Sequence, residues 1–501
     1  MKRARISTAF LVACGGILLT RATFSFAPPT PPVMASALQA DTPLESNLWA
    51  LTDRIGGRIT GTPAFDRARE WAIAAFRQAG ADTVTAEHFQ LPQSWAEGKT
   101  QAEIVSPVRF PVRAQSLAWT PALSSLTARV VDVNEGSPSD FEQAGDIAGA
   151  IVLVHSNVMA HFDVLMQEYF RSPAIIQAAV KGRATAVAFT STRPHNLLYR
   201  HINVFTGRID RLPQVLLARE DSLRMQRILA HGEPVRMALS VPNQIGPPVD
   251  SQNVVAEWKG SGSSKQVVIV GAHLDSWELG TGALDNGCNA ALIIDALRAI
   301  HTVGRPSRTI RFILFSGEEQ GMLGSLAYVR AHRSELDDIV AAIIIDAGSG
   351  AITGFNTGGR RDIDAVLETA LGPVAPWKAT GITNDAGGGT DNFDFQLEGV
   401  PTLVPNQEPA NYLASYHASS DTFDKVDLKQ LKINEAIVAQ AAMRIANLPT
   451  RLGVRQDRAQ VEELLHEVHL DEELKALGLW QSWVDGSRGR KSGLATGKIE
   501  H

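Results

Sequence analysis

The strongest constraint in this chain is a set of short Val- and Ile-rich runs that each stop at a histidine or an acid. In QVVIVGAHLDSWELGTGALDNGCNAALIIDALRAI, the run from Gln266 to Gly271 has the length and composition of a strand buried on both faces, and polar residues begin just after its glycine. His273 and Asp275 therefore fall at the carboxyl end of that strand. After a Gly-rich loop, Asp285 and Asn286 precede an apolar-periodic segment running to about Ile300. One of them can cap that helix while Asp285 points back at the histidine. A second strand, in TIRFILFSGEEQG, ends with Glu318 and Glu319 side by side, and a third, in IVAAIIIDAGSG, ends with Asp346. A fourth run, PTLVPNQ, leads into a loop holding Tyr416, His417 and Asp421.

A lone histidine at a strand end is ordinarily a hydrogen-bonded group. Several such ends together mean more, because an open α/β sheet binds ligands outside the carboxyl ends of its strands, so these termini converge on one crevice. Adjacent carboxylates there repel unless protons or cations intervene. Histidine and carboxylate donors without cysteine suit zinc, and a carboxylate shared between two ions is the usual economy of a two-metal hydrolase.

At these positions the chain resembles the co-catalytic di-zinc exopeptidases, a family that includes bacterial leucyl aminopeptidases, glutamate carboxypeptidase II and carboxypeptidase Q. The shared strings are GAHLDSWELGTGALDNG, FSGEEQGMLGS, the Asp346 strand end, GGTDNFDFQLEGVP and YHASSDTFDKVD, spanning most of residues 250–430. The resemblance implies an α/β fold, a three-layer αβα zinc-peptidase domain with a mixed sheet, and two Zn2+ per chain. Asp285 would bridge the ions, His273 and Asp346 would complete one site, and Glu319 and His417 the other. Glu318 is then a free carboxylate, the general base. Asp275 matches the residue that orients His273, and Asp421 is expected to do the same for His417, each accepting the ring N–H opposite the metal. Tyr416 matches a tyrosine that stabilises the carbonyl oxygen in glutamate carboxypeptidase II; a ring simply packed beside His417 is the alternative. Gly389 and Asp391, in the string Gly387-Gly388-Gly389-Thr390-Asp391, lie where relatives place substrate-pocket residues.

The implied function is a secreted metallo-exopeptidase acting on small peptides or dipeptides. Bound dications lower the pKa of water from about 16 toward about 7. Glu318 takes its proton and returns it to the leaving amine, and Tyr416 helps to hold the developing oxyanion. Three alternatives stand beside this: an aminopeptidase on longer peptides, a glutaminyl cyclase, which shares the fold with one zinc and no insert, and a non-catalytic receptor-like homologue. Every ligand position here is filled, which argues against the last.

With 44% apolar residues over 501 positions, the chain can bury a large core in two or three domains. A formal charge of -6 and no long basic run give no sign of nucleic-acid binding and are compatible with a peptide substrate. A homodimer is left open. Lys2, Arg3 and Arg5 precede an apolar stretch from Ile6 to Thr20 and then small and Pro-rich residues, the pattern of a signal peptide over residues 1–27, with cleavage after Ala27, Ala37 or Ala40. The stretch is short of about 20 apolar residues and contains Gly15 and Gly16, so no integral membrane span is expected in the mature chain. Leu11-Val12-Ala13-Cys14 also resembles a lipoprotein box, so a lipid anchor through Cys14 stands as the alternative to a secreted or periplasmic protein. Signal removal leaves Cys288 alone, expected to pack behind Asp285 without a disulfide.

Residues 121–245 contain strands and short helices, with no cluster of ligands. GDIAGAIVLV and Leu212-Pro213-Gln214-Val215 there resemble the protease-associated domain, a β-rich insert of this family. The peptidase domain is then discontinuous, 41–120 and 246–450. His155, His161, His195 and His201 are expected at the surface or in the core of the insert. From Leu48 to Gly80, helical spacing gives a helix pair whose turn, Arg58-Ile59-Thr60-Gly61-Thr62, needs no further role. Residues 451–501 read as a helical and partly disordered tail. His466 and His469 there are spaced i, i+3, where a helical zinc motif needs i, i+4, so they belong to a solvated face.

Overall fold

The apolar runs form the middle of an eight-stranded mixed sheet in the computed structural model, which describes residues 30–385 and 389–491. Its strands are β1 (Thr83–Leu91), β2 (Val249–Trp258), β3 (Val267–His273), β4 (Thr309–Phe315), β5 (Ile339–Ile344), β6 (Ile352–Asn356), β7 (Gly381–Thr383) and β8 (Thr402–Gln407). They lie in the order β1-β2-β4-β3-β5-β8-β6-β7. The four central strands, β4, β3, β5 and β8, run parallel, so their carboxyl ends share one edge of the sheet. Every residue of β3 is buried, because helices cover both faces. Val268, Val270 and Ala272 pack with the helices Cys288–Val303 and Leu428–Ala446, while Val267 and Ile269 face Tyr328, Val329 and Phe395 on the other side. This alternation makes three layers, helix, sheet and helix. Gly271 sits where Phe315 and Ile344 of the neighbouring strands close over β3; a Cβ there would come within 2.7 Å of the Phe315 ring.

A second eight-stranded sheet is looped out between β1 and β2, whose outer ends, Leu91 and Val249, lie opposite each other in register. Its centre is a parallel run of Leu123–Asp132, Ile151–Val154, Ala186–Thr190 and Gln214–Leu217. One edge continues antiparallel through Arg236–Val241, Gln101–Ser106 and Phe110–Val112, and Ala114–Ser116 pairs on the other. The expected boundary at residue 121 is therefore too late. The hairpin of Gln101–Ser106 and Phe110–Val112 belongs to the insert, and short strands of this kind look alike in sequence whichever sheet they join.

The ends of the described range also depart from expectation. At the amino side, the helix Pro32–Ala37 buries Val33, Met34 and Ala37 in the main core, so cleavage after Ala37 or Ala40 would remove part of that core. The signal stretch and Cys14 lie outside the described residues. At the carboxyl side, residues 451–491 carry the helices expected of them, but these are packed on the peptidase domain. Helices Arg458–Glu467, Leu470–Ala476 and Trp480–Val484 pack Val461, Leu465, Leu474 and Trp483 against Met322, Phe393 and Leu397 of the peptidase domain. The buried Arg488 donates to both carboxylate oxygens of Asp394 at 2.8 and 2.9 Å, although its string GSRGRK looks unstructured. His466 and His469 remain exposed.

Candidate metal centre

The parallel strands deliver the site residues to one place. His273 is the last residue of β3, Glu318 and Glu319 follow β4, and Asp346 follows β5. Asp285 lies in the turn that opens the helix Cys288–Val303, and His417 in the loop after the short helix Tyr412–Ser415. His273 Nε2 is 3.1 Å from Asp285 Oδ1 and 3.0 Å from Asp346 Oδ1. On the other side of the same carboxylate, His417 Nε2 is 3.3 Å from Asp285 Oδ2 and 3.1 Å from Glu319 Oε2. Two triads thus share Asp285, each with its donor atoms within 4.8 Å of one another. Glu318 belongs to neither.

Without a cation, this cluster is electrostatically strained. Burial raises Glu319 to about 7, with the neighbouring Asp285 charge adding to it. Burial also raises Asp346 and Glu318 above the ordinary carboxylate range. Both histidines are displaced the other way: burial opposes their charge, but the surrounding carboxylates outweigh it, lifting His417 to about 9 and His273 well above its usual value. Asp285 is held low by the two imidazoles in spite of its burial. Glu319 Oε1 is buried with no hydrogen-bond partner among the described residues. A pair of N/O-coordinated dications would neutralise the acids and take up that free oxygen, so the residues fit zinc.

Neighbouring segments hold these donors. Asp421 was expected to orient His417; instead its carboxylate accepts the backbone N–H groups of Ala283, Leu284 and Asp285 at 3.0, 2.6 and 3.2 Å and so fixes the turn that presents Asp285. His417 Nδ1 has no hydrogen-bond partner among the described residues. Asp275 supports His273 mainly through its backbone carbonyl, 3.0 Å from Nδ1, its carboxylate being 3.7 Å away. Arg58, read in sequence as part of a simple turn, is fully buried and donates to the carbonyls of Leu274, Thr281 and Gly282 at 2.5, 2.9 and 3.0 Å. It clamps the loop between His273 and Asp285 from behind. Cys288 is a buried thiol beneath that turn, its pKa pushed up by burial.

Two tyrosines reach the centre. The Tyr416 ring stacks on His417 at 3.6 Å between centroids, and its hydroxyl meets that of Tyr169 in the insert at 3.2 Å. Tyr412, not singled out in the sequence, donates to Asp285 Oδ2 at 3.2 Å. Burial raises the pKa of both, so both keep their protons at neutral pH. Above them opens a cavity of about 310 Å³, lined by the metal-site acids, the two tyrosines, Gly389 and apolar side chains from the insert and the C-terminal helices. Asp391 does not line it; it is fully buried below, unlike the substrate contact expected. None of the insert histidines lines the cavity either: His155 pairs with Asp132 and His201 is buried against Tyr169 and Tyr199.

The insert also grips both metal loops through one buried cation. Arg200 Nη2 lies 2.5 Å from Glu97 and 2.8 Å from Glu278, which sits in the loop between His273 and Asp285, and the Arg200 backbone N–H donates to the His417 carbonyl at 3.0 Å. Arg200→Met is expected to cost about 3 kcal/mol by leaving two carboxylates unpaired. It should show as a lower thermal midpoint, with Arg200→Lys falling between the variant and the parent.

Residues 253–442 match the model of Peptidase family M28. Fold, donor set and that match together make the chain a zinc-dependent exopeptidase similar to the members of this family. Over 411 residues it is 27% identical to carboxypeptidase Q of Homo sapiens, covering 81% of this chain and 85% of that protein. The probable lipoprotein aminopeptidase LpqL of Mycobacterium tuberculosis is 26% identical over 427 residues, covering 77% and 80%. The crystal structure of a Peptidase M28 precursor from Shewanella amazonensis matches with a TM-score of 0.77 at 27% identity, covering 85% of this chain and 97% of that one. A zinc aminopeptidase from Bacillus subtilis shares the fold, with a TM-score of 0.64 at 20% identity over 83% and 95% of the two chains. Among the described residues, no helix is long and apolar enough to cross a membrane.

Proposed function

We propose that the chain is a secreted or periplasmic exopeptidase that hydrolyses small peptides with two zinc ions, and that its looped-out sheet is a protease-associated domain. The observation that carries this reading is the pair of triads hinged on Asp285, with Glu318 beside them and in neither. His273, Asp285 and Asp346 would hold one ion and Asp285, Glu319 and His417 the other. Bound there, zinc supplies Lewis acidity for the scissile carbonyl and lowers the pKa of water. Glu318 accepts the proton of the attacking water and returns it to the leaving amine. Tyr416, protonated and facing the cavity, can donate to the oxygen on which negative charge develops, while Tyr412 keeps its proton on Asp285. The apolar walls exclude water and accept side chains.

An aminopeptidase on longer peptides is the second reading. It is favoured by the lack of any Arg or Lys among the described residues that line the cavity, where a terminal carboxylate would require one. A panel of dipeptides and of N- or C-blocked tripeptides, assayed on metal-free protein and after addition of one and two equivalents of zinc, tests both. Turnover should appear with zinc and reach its maximum at two equivalents. If N-blocking abolishes cleavage and C-blocking does not, the second reading holds. No cleavage of any peptide at two equivalents would end the proposal.

A further inference from the structure

One wall of the cavity is built by the helix Leu470–Ala476 and the turn after it, and Leu470, Leu474 and Leu477 all face the opening. Those positions are i, i+4 and i+7, the apolar stripe of a helix. Glu473, at i+3, lies on the same stripe and also lines the cavity. An acid on an otherwise apolar face breaks the local pattern, as functional positions do.

Glu473 has no side-chain hydrogen bond or ion pair among the described residues. Its nearest basic neighbour in sequence, Lys475, is engaged elsewhere, bonded to Asp471 at 2.6 Å and lying 4.8 Å over the Trp480 ring. Burial raises the Glu473 pKa, and no cation offsets it. A partly buried carboxylate against leucines is unfavourable on its own. With Glu473 and the metal-site carboxylates on its walls, and no Lys or Arg among the described residues that line it, the cavity offers no basic side chain to an anion and a direct partner to a cation.

We propose that Glu473 selects substrates carrying an ammonium group, which its unpaired carboxylate binds inside the apolar wall. This rests on the peptidase reading above and adds a specificity residue outside the metal centre. The ammonium has two sources, the free amino terminus of a peptide or a lysine side chain, and the same experiment separates them. Steady-state kinetics of the zinc-loaded parent, Glu473→Gln and Glu473→Asp on Leu-Ala, N-acetyl-Leu-Ala and Lys-Ala would be compared. A charge-assisted contact of this kind is worth about tenfold to a hundredfold. If the amino terminus is bound, Glu473→Gln lowers kcat/KM on Leu-Ala by that factor, chiefly through KM, and leaves the acetylated peptide unchanged, while Glu473→Asp recovers part of the loss. If a side chain is bound, the loss is confined to Lys-Ala. Equal kinetics for parent and Glu473→Gln on all three peptides overturns the proposal, as does an equal fall on all three.

Should the parent itself cleave none of them, the peptidase reading fails separately. Glu473 is then tested by thermal shift with leucinamide, lysinamide and N-acetyl-leucinamide. A shift by either free amine that Glu473→Gln abolishes supports the assignment, and its persistence in that variant overturns it.

Discussion

Glu318→Gln is expected to keep two zinc ions per chain and to lose turnover by about 10²- to 10⁴-fold, the usual worth of a positioned general base. The geometry sets this expectation. Glu318 lies next to a ligand in sequence, yet it enters neither triad, and it lines the cavity where a substrate would sit. Its backbone N–H approaches Asp275 Oδ1 at 3.4 Å, which ties the base to the loop that carries His273. Glutamine keeps the shape and removes the proton acceptor. Metal content measured on the same preparation as kcat separates this role from ligation. Full metal with wild-type turnover would exclude Glu318 as the base, and lost metal would make it a ligand instead.

Asp285→Ala should have the broader effect, because this carboxylate is common to both triads. Removing it leaves two donors on each side, so both ions are expected to be lost at micromolar free zinc and activity to fall below detection. Asp346→Ala, which depletes one triad, should retain one. Titration with a competing chelator distinguishes the two variants. The metal-free parent should also show a particular pH dependence. Glu319 sits at about 7 in the folded chain against 4.5 for a free glutamate side chain, and His417 at about 9 against 6.5 for a free imidazole. In both cases the folded state binds more protons, so these groups contribute stability that is fully present below their unfolded pKa and is lost as pH rises through 4.5 to 7 for Glu319 and 6.5 to 9 for His417. The metal-free thermal midpoint should therefore decline from pH 5 to 9. Zinc, which replaces those protons, should remove most of the decline. A metal-free protein equally stable at both ends would show that the cluster is not strained as described.

Much of the centre was legible before any fold was known, for a simple physical reason. A strand buried on both faces must be apolar, so polar residues at its end stand out, and parallel strands align those ends; His273, Glu319 and Asp346 come together in this way. What could not be read depends on direction or on pairing. Asp421 and Tyr416 both lie near His417 in the chain, but the carboxylate turns to three backbone amides and the hydroxyl to Tyr169, while Tyr412, one helical turn earlier, reaches Asp285. Asp391 is two residues from the cavity-lining Gly389, yet it is fully buried and does not line the cavity. Arg58 resembled an ordinary turn residue because its partners are carbonyls more than two hundred positions away, to which no pattern in sequence points. The strands at 101–116 could have joined either sheet until their hydrogen bonds assigned them.

The wall formed by Leu470–Ala476 also bears on how the protein matures. All five proposed ligands precede residue 418, so a nascent polypeptide still missing its last segment would already carry every metal donor while lacking one side of the chamber that confines the peptide. Zinc capture and selective cleavage would then be acquired at different moments of synthesis.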